Sequence, residues 1–231
     1  MHLEERRRES LVQMELEGIN SCEFDLENSA IEEIANNLAD IVKEQPVVTL
    51  GKSYSVTDAF LTRAKLPKSN SQQPELNSLL YKDNNPNWER LAEVSQQLPA
   101  EPFVIVDEFS FSGTKMMTTI IRLLRLGIEN FQFVALLGSE NSSLEEAINN
   151  MEQFLNQEDR DYLGEHRDKV VSRMKVLKRK KSLLKKLGTF TNIISNYQNE
   201  LNNDTVQSSI FSDKRIEKAI LEKLSQITKP A

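Results

Sequence analysis

The stretch best equipped for chemistry is Phe103–Lys115, FVIVDEFSFSGTK. Its four apolar residues, Phe103–Val106, predict a buried strand. That strand delivers two adjacent carboxylates, Asp107 and Glu108, at its carboxyl end. A loop ending in Ser112-Gly113-Thr114 then opens directly into a helix. The first N–H groups of a helix have no partner within it. With the positive end of the helix dipole they form a seat for an anion, most often phosphate. Gly113 lets backbone approach closely, Ser112 and Thr114 offer hydroxyls, and Lys115 adds positive charge. Ser110 and Phe111 complete the loop. Two carboxylates would repel a bare phosphate, but they suit sugar hydroxyls or a nearby Mg²⁺. A ligand with a phosphate at one end and a diol at the other, such as a ribose 5-phosphate, meets both conditions. The plainer alternative makes Asp107 and Glu108 loop or cap carboxylates and Ser112-Gly113-Thr114 an ordinary helix start.

A loop is expected at Gly51-Lys52-Ser53-Tyr54. It follows a short apolar run, Val47–Leu50, and precedes a helix capped by Ser55. VVTLGKS followed by VIVDE also resembles the two nucleotide motifs of P-loop hydrolases. That pattern, however, needs a glycine where this chain has Pro46.

The elements that must position these residues alternate along the chain. A helix is expected at 29–43, with Ser29 and Glu32 as a capping box and Ile31, Ile34, Leu38 and Ile41 on one face. The strand Val47–Leu50 comes next, then a helix carrying Val56, Ala59, Phe60 and Ala64. Residues 66–87, rich in Pro, Asn, Ser and Gln, read as a long mobile connection with a strand at Ser78–Tyr81. A short helix covers Trp88–Gln97. After the strand Phe103–Val106, a helix runs from Thr114 to Leu126, with Gly127 at its C′ position. The strand Phe131–Leu137 and a helix at 143–155 follow, the latter with Ser142 and Glu145 as its capping box. This order predicts an α/β fold with a central, mainly parallel sheet and helices on both faces. Gly51, Gly113 and Gly138 then fall at strand ends, where ligands bind in open sheets of this kind. Three parts are expected: an acidic N-terminal segment (1–27), the α/β domain (28–156), and a mainly helical, charged C-terminal extension (157–231). In the extension, a strand is read at Met174–Leu177. A last amphipathic helix carries Ile216, Ile220, Leu224 and Ile227.

The segment Phe103–Thr114 resembles the phosphoribosyl pyrophosphate (PRPP) motif of type I phosphoribosyltransferases: four apolar residues, two acids, and a loop ending in a small residue, Gly and Thr. The resemblance covers about residues 28–140. It implies that Asp107 and Glu108 hold the ribose hydroxyls and that residues 111–115 wrap the 5-phosphate. Gly51–Tyr54 then occupies the place of the family's pyrophosphate loop, and 66–87 that of the loop closing over the site. Mg²⁺ is the implied cofactor, held mainly through PRPP, with Asp107 and Glu108 as the nearest carboxylates. The implied activity is transfer of the phosphoribosyl group to a base-like acceptor with release of pyrophosphate. Phe111 departs from the family, which usually carries Thr, Ser or Ala there. That departure supports an alternative, a regulatory domain that binds PRPP or a nucleotide without turnover. The family's base-binding hood has no counterpart recognisable in the sequence.

Composition sets the remaining bounds. The 231 residues hold 29 basic and 35 acidic side chains, a net charge of −6. A single cysteine, Cys22, excludes an internal disulfide and fits a reducing, cytoplasmic setting. Two histidines, His2 and His166, leave no His cluster for a transition metal. The seven glycines nowhere form a G-x-G-x-x-G fingerprint. No apolar run approaches the ~20 residues of a membrane span, and the N-terminus shows no secretory signal. Charge is uneven: residues 1–46 carry 12 acidic and 4 basic residues, whereas 169–186 carry 9 basic and none acidic. The basic run could form an amphipathic helix for nucleic acid or acidic lipid. The favoured reading is a solvated face neutralised by the acidic blocks. The extension is the natural place for a homodimer or partner contact.

Overall fold

The computed structural model describes residues 2–24, 27–50, 56–67, 73–82, 84–110, 113–138, 148–149, 152, 155–201 and 213–229. Helices α1 (His2–Ser21) and α2 (Asn28–Val42) precede strand β1 (Val47–Thr49). Then come α3 (Val56–Arg63), a turn of helix α4 (Pro74–Asn77) that widens into a π-helical stretch over Ser78–Lys82, and α5 (Trp88–Ser95). Strand β2 (Phe103–Ser110), α6 (Thr114–Arg125) and β3 (Phe131–Gly138) form the centre. They are followed by α7 (Gln157–Ser172), β4 (Met174–Arg179), α8 (Lys181–Leu201) and α9 (Lys214–Thr228). All four strands are parallel in the order β1-β2-β3-β4. The α/β class and parallel sheet expected from the sequence are therefore present, and β2 is an interior strand.

Strand alternation divides the core in two. Val104 and Val106 pack with residues of α2, α3, α8 and α9, while Phe103 and Ile105 pack with α5 and α6. A sheet buried on both faces needs apolar residues at consecutive positions, which explains the unbroken FVIV and FVALL runs. Each fully buried Val, Leu, Ile or Phe contributes about 1.5–3 kcal/mol. Helix α6 enters through Gly113 at φ 74° and ends before Gly127 at φ 76°, both in the left-handed region that favours glycine.

Several expectations change. Ser78–Tyr81 is helical, not a strand. Leu76 and Leu80 stand four residues apart and are both fully buried, so they dock one helical face into the apolar cluster with Val48 and Leu50. The Ser29–Glu32 capping box does not form at α2. Glu27 is the N-cap without a side-chain bond, and the Glu32 carboxylate accepts instead from Arg63 at 2.9 Å. Within the acidic N-terminal segment, helix α1 buries Val12 and Ile19. Arg215 of α9 donates to both carboxylate oxygens of Glu9 in α1, at 2.8 and 2.9 Å. Residues 157–231 are mostly helical, yet they complete the core: β4 joins the sheet and α9 packs on α3.

The basic run is not one amphipathic helix. Residues 174–179 are strand β4, and the helix α8 begins only at Lys181. Its charges meet acids from elsewhere. Lys169 donates to Glu129 at 2.6 Å, Lys178 pairs with Glu33, and Lys180 and Lys186 both pair with Glu27. Burial raises the Glu27 carboxyl, but hydrogen bonds from Lys180 and Ser182 outweigh it and hold the group below the usual range. The acidic N-terminal block thus neutralises part of the run, as the favoured reading expected. The 143–155 helix lies mostly outside the described residues.

Candidate functional site

Strand β2 reaches further than expected. It continues through both acids to Ser110, pairing Asp107 with Ala135 and Ser110 with Gly138 of β3. On its other side β1 stops early, with Thr49 opposite Val106. Asp107 and Glu108 therefore overhang the end of β1. A cavity of about 380 Å³ opens there, lined by Thr49 and Leu50, by both acids and by Lys115. That volume lies within the range of small-ligand clefts.

The two acids leave the strand on opposite faces, as consecutive strand residues must. Asp107 turns toward α6, where Lys115 Nζ donates to its Oδ1 at 3.0 Å. Glu108 turns toward α3, whose Thr57 N–H donates to Oε1 at 3.4 Å. Glu108 retains some exposure as a residue, but its carboxyl is enclosed. Burial and the neighbouring Asp107 charge push it up to about 7, against the opposing pull of the Thr57 N–H, the Lys115 charge and the Thr191 hydroxyl. Glu108 thus occupies a first-turn donor of α3.

Gly113 caps α6 with no side-chain hydrogen bond, so the opening turn of that helix takes no cap from its own Ncap residue. Thr114 faces a second cavity of about 350 Å³, which shares Lys82 with the first and is also lined by Thr118, Arg122 and Asn156. Beneath it lies a buried ionic cluster. Asp159, fully buried, accepts from Arg122 Nε at 3.2 Å and from Arg125 Nη1 at 3.0 Å. Arg122 Nη1 also donates to the Leu79 and Leu80 carbonyls at 3.2 and 3.0 Å. This cluster locks the π-helical segment and α7 onto α6.

Of the residues singled out from the sequence, Asp107, Glu108 and Lys115 line the first of these cavities. Ser110 is the last residue of β2, and Gly113 and Thr114 form the start of α6. Gly51, Lys52, Ser53, Tyr54, Phe111 and Ser112 lie outside the described residues. The sequence reading missed the cover. Helix α8 lays Thr191, Ile194, Ser195, Gln198 and Asn199 along the cavity, and Asn77, Ser78 and Lys82 come from α4 and its π-helical continuation. A signal was present: Leu183, Leu187, Phe190 and Ile194 repeat at helical spacing and are buried.

Other reactive residues play no part in this cavity. Cys22 is buried, with Sγ contacting the Gly18 and Lys186 carbonyls, and burial raises its thiol above the ordinary value. His166 stacks on Tyr162 with ring centroids 4.2 Å apart. Among the described residues, no three His, Cys, Asp or Glu side chains cluster to hold a metal, and no helix is long and apolar enough to cross a membrane. No family model, curated protein or solved structure matches this chain.

Proposed function

We propose that this chain binds PRPP and transfers its phosphoribosyl group to a base-like acceptor with release of pyrophosphate. The observation that carries the reading is the cavity where β1 stops short. It brings Asp107, Glu108 and Lys115 together near the start of α6, which is the set a ribose 5-phosphate needs. The 5-phosphate sits at the α6 N-terminus, where Gly113 permits close approach and Thr114 supplies a hydroxyl. Asp107 accepts from a ribose hydroxyl. Lys115, already bonded to Asp107, keeps that carboxylate oriented. Glu108 stands on the other side of the strand and takes the second hydroxyl, trading its weak 3.4 Å bond to Thr57 for a ligand donor.

Mg²⁺ fits this site only through the ligand. Asp107 and Glu108 diverge and form no chelating pair, while Mg²⁺ commonly keeps its waters and phosphate oxygens and takes one or two carboxylates. Bound with PRPP, it would neutralise the pyrophosphate and improve it as a leaving group. The residues of the chain orient the two ends of the ligand so that the acceptor meets C1 of the ribose in line. Their fixed charges favour the oxocarbenium-like transition state.

Phe111, standing where the family carries Thr, Ser or Ala, favours a second reading in which PRPP is bound but not consumed. Calorimetry with PRPP, with and without Mg²⁺, tests the first point, and a pyrophosphate-release assay separates the two readings. Wild type should bind, and Asp107→Asn/Glu108→Gln should bind at least about tenfold more weakly, as expected for two lost charged hydrogen bonds. Absence of PRPP binding to wild type sinks both readings. Unchanged binding by the double variant sinks the assignment of the acids.

A further inference from the structure

We infer that the second cavity, on the flank of α6, is a seat for a small phosphate-like oxyanion, held by Lys82 and Thr118 and separate from the 5-phosphate of the proposed function. Thr114, Thr118 and Arg122 recur every four residues on one face of α6, and all three line this cavity. At 1.5 Å per residue, Thr118 lies about 6 Å along the helix from Thr114. The seat is therefore one turn past the helix start that the 5-phosphate would occupy. Asp107, Glu108 and Lys115 line the first cavity and not this one.

The ion pairs beneath this cavity are complete, and what remains open is a set of donors. Thr118 is only 5% exposed, yet its hydroxyl makes no hydrogen bond among the described residues. A threonine inside a helix commonly bonds the carbonyl four residues back. Here the hydroxyl is left to the cavity. Lys82 is exposed, lines both cavities and makes no ion pair among the described residues. Its ammonium can only donate. Other polar groups of the lining are engaged. Asn156 donates to the Asn84 carbonyl at 2.9 Å and accepts from the Asp159 N–H at 2.8 Å. Asp159 is the one acid among the described lining residues, and it accepts from both Arg122 and Arg125. Arg125 also meets Glu158, but that carboxylate is 70% exposed and screened by water. Lys82 and Arg122 set against Asp159 leave the lining with one positive charge. A buried hydroxyl and an unpaired ammonium above a cationic floor suit a tetrahedral oxyanion, which accepts on every oxygen. A cation would meet the ammonium, and an apolar ligand would leave the Thr118 hydroxyl buried without a partner.

The test is calorimetry on the full chain with inorganic phosphate, in chloride at constant ionic strength. Wild type should bind phosphate with a Kd of about 1 mM or tighter. Lys82→Met removes a charged donor at an exposed position and should weaken phosphate about tenfold. Thr118→Val removes one hydroxyl at nearly constant shape and should weaken it about fivefold. PRPP should keep its wild-type affinity for Thr118→Val within about twofold, and Asp107→Asn/Glu108→Gln should bind phosphate as wild type does. Absence of phosphate binding by wild type up to about 10 mM overturns the inference. Phosphate binding unchanged in both Lys82→Met and Thr118→Val also overturns it, since the anion then sits elsewhere. Equal losses of PRPP and phosphate in a normally folded Thr118→Val would show that this cavity is the 5-phosphate seat itself, and the second site falls. Phosphate binding with the expected losses, but no PRPP binding by wild type, overturns the proposed function and leaves this site standing.

Discussion

The two faces of the sheet treat their acids differently, although Asp107 and Glu108 are neighbours in the chain. On the α6 face the acids near the site have cationic partners: Asp159 holds Arg122 and Arg125, and Asp107 holds Lys115. On the α3 face Glu108 accepts one long bond from a backbone N–H and is pushed up to about 7, first by burial and then by the Asp107 charge. Strand alternation alone sends the two acids to these environments. The α6 face is a finished electrostatic scaffold. The α3 face carries polarity that a ligand can complete, and it is the face that α8 covers. Three substitutions test how far this contrast holds.

The largest effect should come from the finished face. Asp159→Asn leaves Arg122 and Arg125 without their shared carboxylate, in a place where Arg122 is only 2% exposed. Breaking a buried pair by removing one partner costs about 3–5 kcal/mol. Urea denaturation should show a loss of that size with little change in slope. A loss below about 1 kcal/mol would mean that the cluster is solvated or self-compensating, and the contrast between the faces would fail.

Glu108→Gln should do the opposite, and its effect should depend on pH. The folded-state carboxyl titrates near 7, above its ordinary value of 4.5. The folded protein therefore holds this proton more tightly than the unfolded chain does. The stability it contributes is complete below about 4.5 and is lost as pH rises through about 7. A shift of this size corresponds to on the order of 3 kcal/mol. The variant, neutral at every pH, should match wild type near pH 4.5 and exceed it by about that amount at pH 8. Equal differences at both pH values would show that Glu108 is not the strained group on this face.

This asymmetry was only half legible in the sequence. The strand Phe103–Val106, the acids after it and the helix from Thr114 to about 125 were readable because their signals are local: an apolar run, a Gly at a positive φ, a 3.6-residue period. What escaped depends on distant partners. Glu32 looked like a capping-box acid, but Arg63 from α3 takes it. Ser78–Tyr81 looked like a strand because SLLY is short and apolar, and Arg122 from α6 holds it helical through the Leu79 and Leu80 carbonyls. The stretch of α8 over the cavity carries no site motif. Its role as a cover shows only when Leu187 and Phe190 are seen to face the core, leaving Thr191, Ile194, Ser195 and Gln198 to the cavity. Side chains that serve a site from a remote helix carry no spacing signature relative to the motif they complete.

The smallest of the three effects concerns how the open face is held in place. Arg63, at the far end of α3 from the Glu108 contact, is 1% exposed in its side chain. Its guanidinium donates to Glu32 at 2.9 Å, to Asn28 Oδ1 at 2.8 Å, and to the Ile227 and Lys229 carbonyls at 3.1 and 2.6 Å. One side chain therefore ties α2, α3 and the end of α9, satisfying carbonyls that a helix C-terminus leaves open. Arg63→Met keeps much of the apolar stem and removes the donors. Glu32 is 41% exposed and can return to water, so the cost should be smaller than at Asp159, about 2 kcal/mol. The loss should also be local. Hydrogen exchange should quicken over Lys214–Thr228, while β2 and β3 keep their protection, because α9 loses its terminal anchor but the sheet does not. Uniform acceleration across β2, β3 and α9 would show that the α3 face unfolds only with the whole protein, and that it is as firmly set as the α6 face.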